Sequence, residues 1–183
     1  MIYPIYMYGN TVLKKKASEV KKDEIDVKKL SEDMFETMKL ADGIGLAAPQ
    51  IGKSIRVFVV DGTSLKDPKM FDFKKVFVNP KVLYEAGDIW EFEEGCLSIP
   101  SIKENIKRKS ELEIEYFDEN WDHHKEVFDG MKARIIQHEY DHIEGILFTD
   151  YLTSFKRKLI KNKLLRISKG QVDVDYKIFP SKK

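Results

Sequence analysis

The segment "QHEYDH", residues 137–142, holds two of the chain's four histidines, with a glutamate directly after the first. An α-helix turns about 100° per residue, so His138 and His142 lie one above the other on a single face. Their imidazoles can then reach a common point. Glu139, one position round, stands beside that point without ligating it, which is how a water is held between a metal ion and a carboxylate base. Met131 and Ile135 precede the histidines on the same stripe and turn the pair inward. Two histidines at this spacing also occur on ordinary helix faces; the glutamate, and a helix begun at Asp129 and closed by Gly145, favour the metal. His123 and His124 are neighbours in sequence and point to opposite faces of an extended chain, so we expect solvated turn residues there.

A catalytic ion bound by two histidines needs a third protein ligand and an open position. After residue 142 there is no further histidine or cysteine, only Glu144, Asp150 and later acids. Upstream, "EEGCLSIP" (93–100) carries the only cysteine, Cys96. With no second thiol it makes no intramolecular disulfide, which suits a reducing compartment and leaves it as core residue, ligand or nucleophile. A thiolate at a strand end is a suitable third ligand. The segment "GIGLAAPQ" (43–50) lacks the Lys-Ser/Thr of a phosphate loop. Its small residues let an extended ligand or another strand lie close to the backbone, and Gln50 then offers an amide beside the cavity. A tight loop packed on the core would use the same residues.

Several elements must position these groups. Residues 27–40 place Val27, Leu30, Met34 and Met38 at helical spacing. "SIRVFVVD" (54–61) has the composition of a buried strand. A loop is expected over 64–75, and two or three short strands over 75–95, broken at Asn79-Pro80 and Ala86-Gly87. Residues 111–130 alternate and turn back as a hairpin. The histidine helix follows over 130–144, then a basic helix over 150–167 and a polar, partly frayed tail over 166–183. The predicted fold is α+β, with antiparallel sheets around a central metal-binding helix, between an N-terminal and a C-terminal helix.

The chain has 183 residues, 42% of them hydrophobic, enough for one domain with its own core over 1–183. Lys+Arg 32 against Asp+Glu 31 leaves a charge of +1, so DNA is not an expected partner. No apolar run approaches the roughly 20 residues of a membrane span. The opening "MIYPIYMYGN" has no basic region followed by an apolar stretch, so neither a secretory signal nor a transit peptide is expected.

Together, "GIGLAAPQ", "EGCLS" (94–98) and "QHEYDHIEG" (137–145) resemble the peptide deformylase family. The resemblance covers most of the chain, including "YGNTVLKKKASEV" (8–20) and the run from Ile99 through "GILFTDYL" (145–152). It implies hydrolysis of the formyl group from the N-terminal methionine of nascent chains in a bacterial cytoplasm. It implies Cys96, His138 and His142 as metal ligands, and Fe(II) as the usual metal with Zn(II) or Ni(II) able to replace it. Glu139 would be general base and acid, while Gln50 and the backbone N–H of Leu97 would stabilise the oxyanion. Gly45 would meet the substrate backbone and Arg108 would stand on the substrate side. Ile44 and Ile135 are suitable walls for the methionine side chain, though core packing would use them equally. The basic helix, through Lys156, Arg157, Lys158, Lys161 and Lys163, would contact the ribosome, or is an ordinary surface helix. Ser101 departs from the glycine common after "CLSIP". A metallopeptidase and a structural metal protein remain as other readings; Cys96 argues against the first, Glu139 and Gln50 against the second.

Overall fold

The computed structural model describes residues 1–181. In chain order the elements are β1 (Ile5–Tyr6), α1 (Val27–Leu40), β2 (Gly45–Ala47), β3 (Val57–Asp61), β4 (Lys74–Cys96), β5 (Ile99–Phe117), β6 (His123–Asp129), α2 (Gly130–Glu144), α3 (Ser154–Ser168) and β7 (Ile178–Phe179). Strands β2 to β6 form one antiparallel sheet in that order, and β1 pairs with β7 in a separate parallel ribbon. The architecture is the expected α+β. No helix among the described residues is long and apolar enough to cross a membrane.

Strand β3 runs through the middle of the core. Val57 and Val59 belong to the apolar cluster that includes α1, while Phe58 and Val60 belong to the cluster that includes α2. Alternate side chains of a strand point to opposite faces, so β3 is buried on both. Helix α1 buries Val27, Leu30, Met34 and Met38 as its spacing predicts, and Asp26 Oδ1 accepts from Lys29 N at 2.9 Å to cap it. Helix α2 packs across β2, β3, β5 and β6. It ends at Gly145, whose φ of 76° is left-handed, and where a Cβ would lie 2.8 Å from the Lys14 carbonyl carbon. Asp129 occupies the first cap position, but its side chain makes no cap hydrogen bond.

Three expectations need correction. Residues 74–96 are one long strand, not two or three, and the predicted breaks appear as register shifts after Val78 and Ala86. Bulges accept a left-handed residue and a proline without ending the strand. Asn79, at φ 49°, is held there by its amide, which accepts from Val20 N at 2.9 Å and donates to Val20 O at 2.8 Å. The basic helix starts at Ser154 rather than 150, with Thr153 Oγ1 accepting from Lys156 N at 3.3 Å. The tail is not frayed through residue 181: it turns at Gly170 and returns to pair β7 with β1, Ile5 opposite Ile178. Lys182 and Lys183 lie outside the described residues.

Candidate metal centre

The hairpin of β4 and β5, the helix α2 and the segment 43–51 meet at one point. Cys96 stands at the tip of the hairpin, where it pairs with Ile99 across the two-residue turn Leu97–Ser98. Cys96 Sγ and one ring nitrogen each of His138 and His142 lie within 4.8 Å of one another. Sγ is 3.3 Å from His142 Nε2. Ligands about 2.1–2.3 Å from a tetrahedral ion stand roughly 3.3–3.8 Å apart, so these three donors fit a divalent metal with little movement. A soft thiolate with two imidazoles suits iron, zinc or nickel, and none of the three donors belongs to an alkaline-earth site.

The His138 ring is oriented from behind. His138 Nδ1 lies 3.0 Å from Glu94 Oε2, which leaves Nε2 for the metal. Glu94 is itself clamped: Arg108 donates to its two oxygens at 2.7 and 3.0 Å, and Arg134 Nη1 to Oε1 at 2.8 Å. Burial works against the Glu94 carboxylate, but His138 and the Arg108 guanidinium outweigh it and hold it far below the usual range. Burial, and then the neighbouring His138, push the His142 pKa well down, keeping that ring a neutral donor.

Glu139 is buried, and its Oε2 has no hydrogen-bond partner among the described residues. Burial pushes its carboxyl up to about 7. An acid with that pKa, on the cavity wall beside the three donors, is suited to taking up and returning one proton near neutrality. Gly45 makes room for it: a Cβ at Gly45 would lie 2.7 Å from Glu139 Cδ. Gln50 sits in the short turn Ala48–Ile51 that follows β2. Its Oε1 accepts from Ala47 N at 2.9 Å, which fixes the amide orientation and turns Nε2 toward Cys96 Sγ at 3.4 Å and Ser98 Oγ at 3.3 Å.

These groups line a cavity of about 500 Å³. Ile44, Gly45, Gln50, Leu97, Ile135 and Glu139 all stand on its wall, so the structure brings together the residues expected there. Arg108 is the exception. The residue is only 8% exposed, its guanidinium bound to Glu94 and to Asp141 Oδ2 at 2.8 Å and lying 5.0 Å from the centre of the Tyr151 ring. A buried charge is stable only when paired, and the partners here are Asp141 and the Glu94 that bonds His138 Nδ1. The expected substrate-side position is therefore corrected to a buried one off the cavity wall, bonded to the Glu94 that holds His138. Of the other histidine pair, His123 is exposed, whereas His124 is half-buried in β6 with Nε2 3.0 Å from Asp118 Oδ2. Sequence reasoning passed over Glu94, Arg134 and the C-terminal residues Val174 and Tyr176, which also line the cavity, Glu94 included. An acid two positions before a ligand, and the unbroken alternation of residues 171–178, were the available signals.

The sequence model of the polypeptide deformylases matches residues 2–158. The chain belongs to that family. It is 53% identical over 184 residues to a peptide deformylase of Cytophaga hutchinsonii, covering 100% of both chains. It is 49% identical over 193 residues to one of Christiangramia forsetii, covering 100% of this chain and 98% of that one. Among solved structures, a peptide deformylase from Legionella pneumophila superposes with a TM-score of 0.83 at 35% identity, over 93% of this chain and 98% of that one. One from Synechococcus elongatus, in complex with actinonin, gives 0.78 at 35% identity, over 88% and 87%. The chain is thus a metal-dependent hydrolase of the deformylase family, which removes N-formyl groups from nascent peptides.

Proposed function

We propose that Cys96, His138 and His142 hold the working metal, that Glu139 moves the proton, and that Gln50 and the Leu97 N–H receive the charge that develops on the formyl oxygen. The observation that carries this reading is the unpartnered, buried Glu139 Oε2 on the cavity wall beside the three converging donors. The ion, when bound, supplies a Lewis acid that polarises the formyl group and makes a water acidic. Glu139 accepts a proton from that water as its oxygen attacks the formyl carbon. Gln50 Nε2 and the Leu97 N–H donate to the oxygen that becomes negative. Glu139 then delivers the proton to the departing amine nitrogen; the C–N bond breaks, and formate and a free N-terminus leave.

A formyl carbon carries only hydrogen, so a tight pocket at the reacting carbon separates it from an acetyl group by one methyl. Ile44 and Ile135 line the cavity as apolar surface for the methionine side chain. Formate release from formyl-Met-Ala-Ser, against the acetylated and unformylated tripeptides, tests this reading. We expect turnover of the first alone, and equal turnover of the acetylated peptide would overturn it.

The native metal in this proposal is Fe(II), with Zn(II) or Ni(II) able to occupy the same donors. A thiolate beside ferrous iron is exposed to oxidation, so activity of anaerobically purified protein should fall in air. Equal, air-stable turnover of iron- and zinc-loaded protein would contradict it. The chain works in the bacterial cytoplasm and meets the ribosome through α3, whose Arg157, Lys158, Lys161 and Lys163 are exposed while Ile160, Leu164 and Ile167 pack inward. Co-sedimentation with ribosomes that weakens as salt rises is the expected result; no binding at low salt would remove the idea.

A further inference from the structure

Residues 171–178 alternate without a break: Val172, Val174, Tyr176 and Ile178 are half-buried, while Gln171, Asp173, Asp175 and Lys177 are exposed. One face of this extended segment is therefore laid on the body of the molecule. It is pinned beyond Tyr176, where Ile5 N donates to Lys177 O at 2.8 Å and Asn10 Nδ2 donates to Phe179 O at 3.0 Å. Tyr176 stands on the wall of the metal cavity, and its Oη donates to the Leu97 carbonyl at 2.8 Å.

That carbonyl belongs to the turn carrying the reactive groups. Leu97 and Ser98 are the only residues between β4 and β5, and Cys96 and Ile99 close the turn. Both turn carbonyls are tied from outside, Leu97 O by Tyr176 Oη and Ser98 O by Tyr8 N at 2.9 Å. Cys96 is held by its pairing with Ile99 across the hairpin, so rocking of the turn would displace the Leu97 N–H while leaving the thiol in place. The Tyr8 bond is main chain and belongs to the fold. The Tyr176 bond comes from a single side chain, beyond the segment 2–158 shared with the family model.

We infer that Tyr176 is a positioning residue for deformylation, holding the Leu97–Ser98 turn so that the Leu97 N–H is aimed into the cavity. The inference rests on the proposed role of that N–H as a donor to the developing oxyanion. A donor displaced by a fraction of an ångström loses most of its effect on the transition state and little of its effect on ground-state binding.

Tyr176→Phe keeps the ring against the wall and removes only the hydroxyl. On formyl-Met-Ala-Ser, kcat should fall about 10-fold, the scale seen when a group supporting an active-site residue is removed. KM should stay within about twofold, since the lost interaction acts in the transition state. Metal per chain and Tm should match the wild type, and the Leu97 and Ser98 amide resonances should shift. Unchanged kcat, or a kcat loss that follows loss of metal or a lowered Tm, would overturn the positioning role. The two readings fail separately: a metal-loaded wild type that releases no formate sinks the proposed mechanism. A wild type that is active, impaired by Gln50→Ala and indifferent to Tyr176→Phe, sinks only this inference.

Discussion

Strand β5 begins at one turn and ends at another, and the two are held by different means. At its start, Leu97–Ser98 is fixed by groups from elsewhere: Gln50, Tyr8 and Tyr176 reach it from three separate segments. At its end, the turn over 118–122 is fixed from within. Asp118 Oδ1 accepts from Asn120 N at 2.8 Å and from Asp122 N at 3.0 Å. Each turn has a histidine pair nearby. His138 and His142 face the first from the next helix, while His123 and His124 start the strand that leaves the second. A turn that satisfies its own polar groups needs nothing from the core and can sit at the surface. The first has its carbonyls tied by distant partners, and its residues Cys96 and Leu97 stand on the cavity wall.

The sharpest break in that contrast comes from the ligands. Cys96→Ala should cut metal content toward zero and lower formate release by more than about a thousandfold, while a His123→Ala, His124→Ala double variant should keep both; loss of metal in the double variant would put the ion elsewhere. Gln50→Ala should retain metal and lose about 10²–10³ in kcat, the scale of one missing oxyanion donor. An effect confined to KM would make Gln50 a binding residue instead. Gly45→Ala forces a Cβ against the Glu139 carboxyl. We expect about 1–3 kcal/mol of lost stability in urea unfolding, together with reduced turnover.

The smallest effect belongs to the second turn. Burial opposes the Asp118 carboxylate, but the His124 hydrogen bond and the backbone amides of Asp122 and Asn120 outweigh it and hold its pKa below the ordinary value of 3.8. A depressed carboxylate pKa stabilises the fold above the ordinary value, and that stability is lost as pH falls through the folded one. Asp118→Asn should therefore lower Tm at neutral pH by about 1–3 °C, with less difference from wild type below pH of about 3, and leave kcat unchanged. A matching drop in kcat would mean that the two ends of β5 are coupled.

The same division decides what was legible in the sequence. Periodicity places Val27 to Met38 on one helix face, and the spacing of His138, Glu139 and His142 dictates their geometry once 130–144 is a helix; both are local facts. Cys96 is readable as a candidate third ligand because the chain has no other thiol and no histidine after residue 142. Arg108 was misplaced because a strand residue has two faces, and only the partners Glu94 and Asp141, brought in from 14 and 33 residues away, choose between them. Asn79-Pro80 reads as a strand end until Val20 supplies the bonds that turn it into a bulge. The tail was misread because its acids and lysines outweighed a regular alternation whose apolar face has a partner only in the folded chain.

In the proposed mechanism one helix supplies both two ligands and the base. Glu139→Gln keeps the size of the side chain and removes its ability to take a proton, so metal content and formate release from formyl-Met-Ala-Ser should be measured on the same sample. We predict wild-type metal stoichiometry with kcat lowered about 10²–10⁴-fold; full turnover with the metal in place would contradict the assignment.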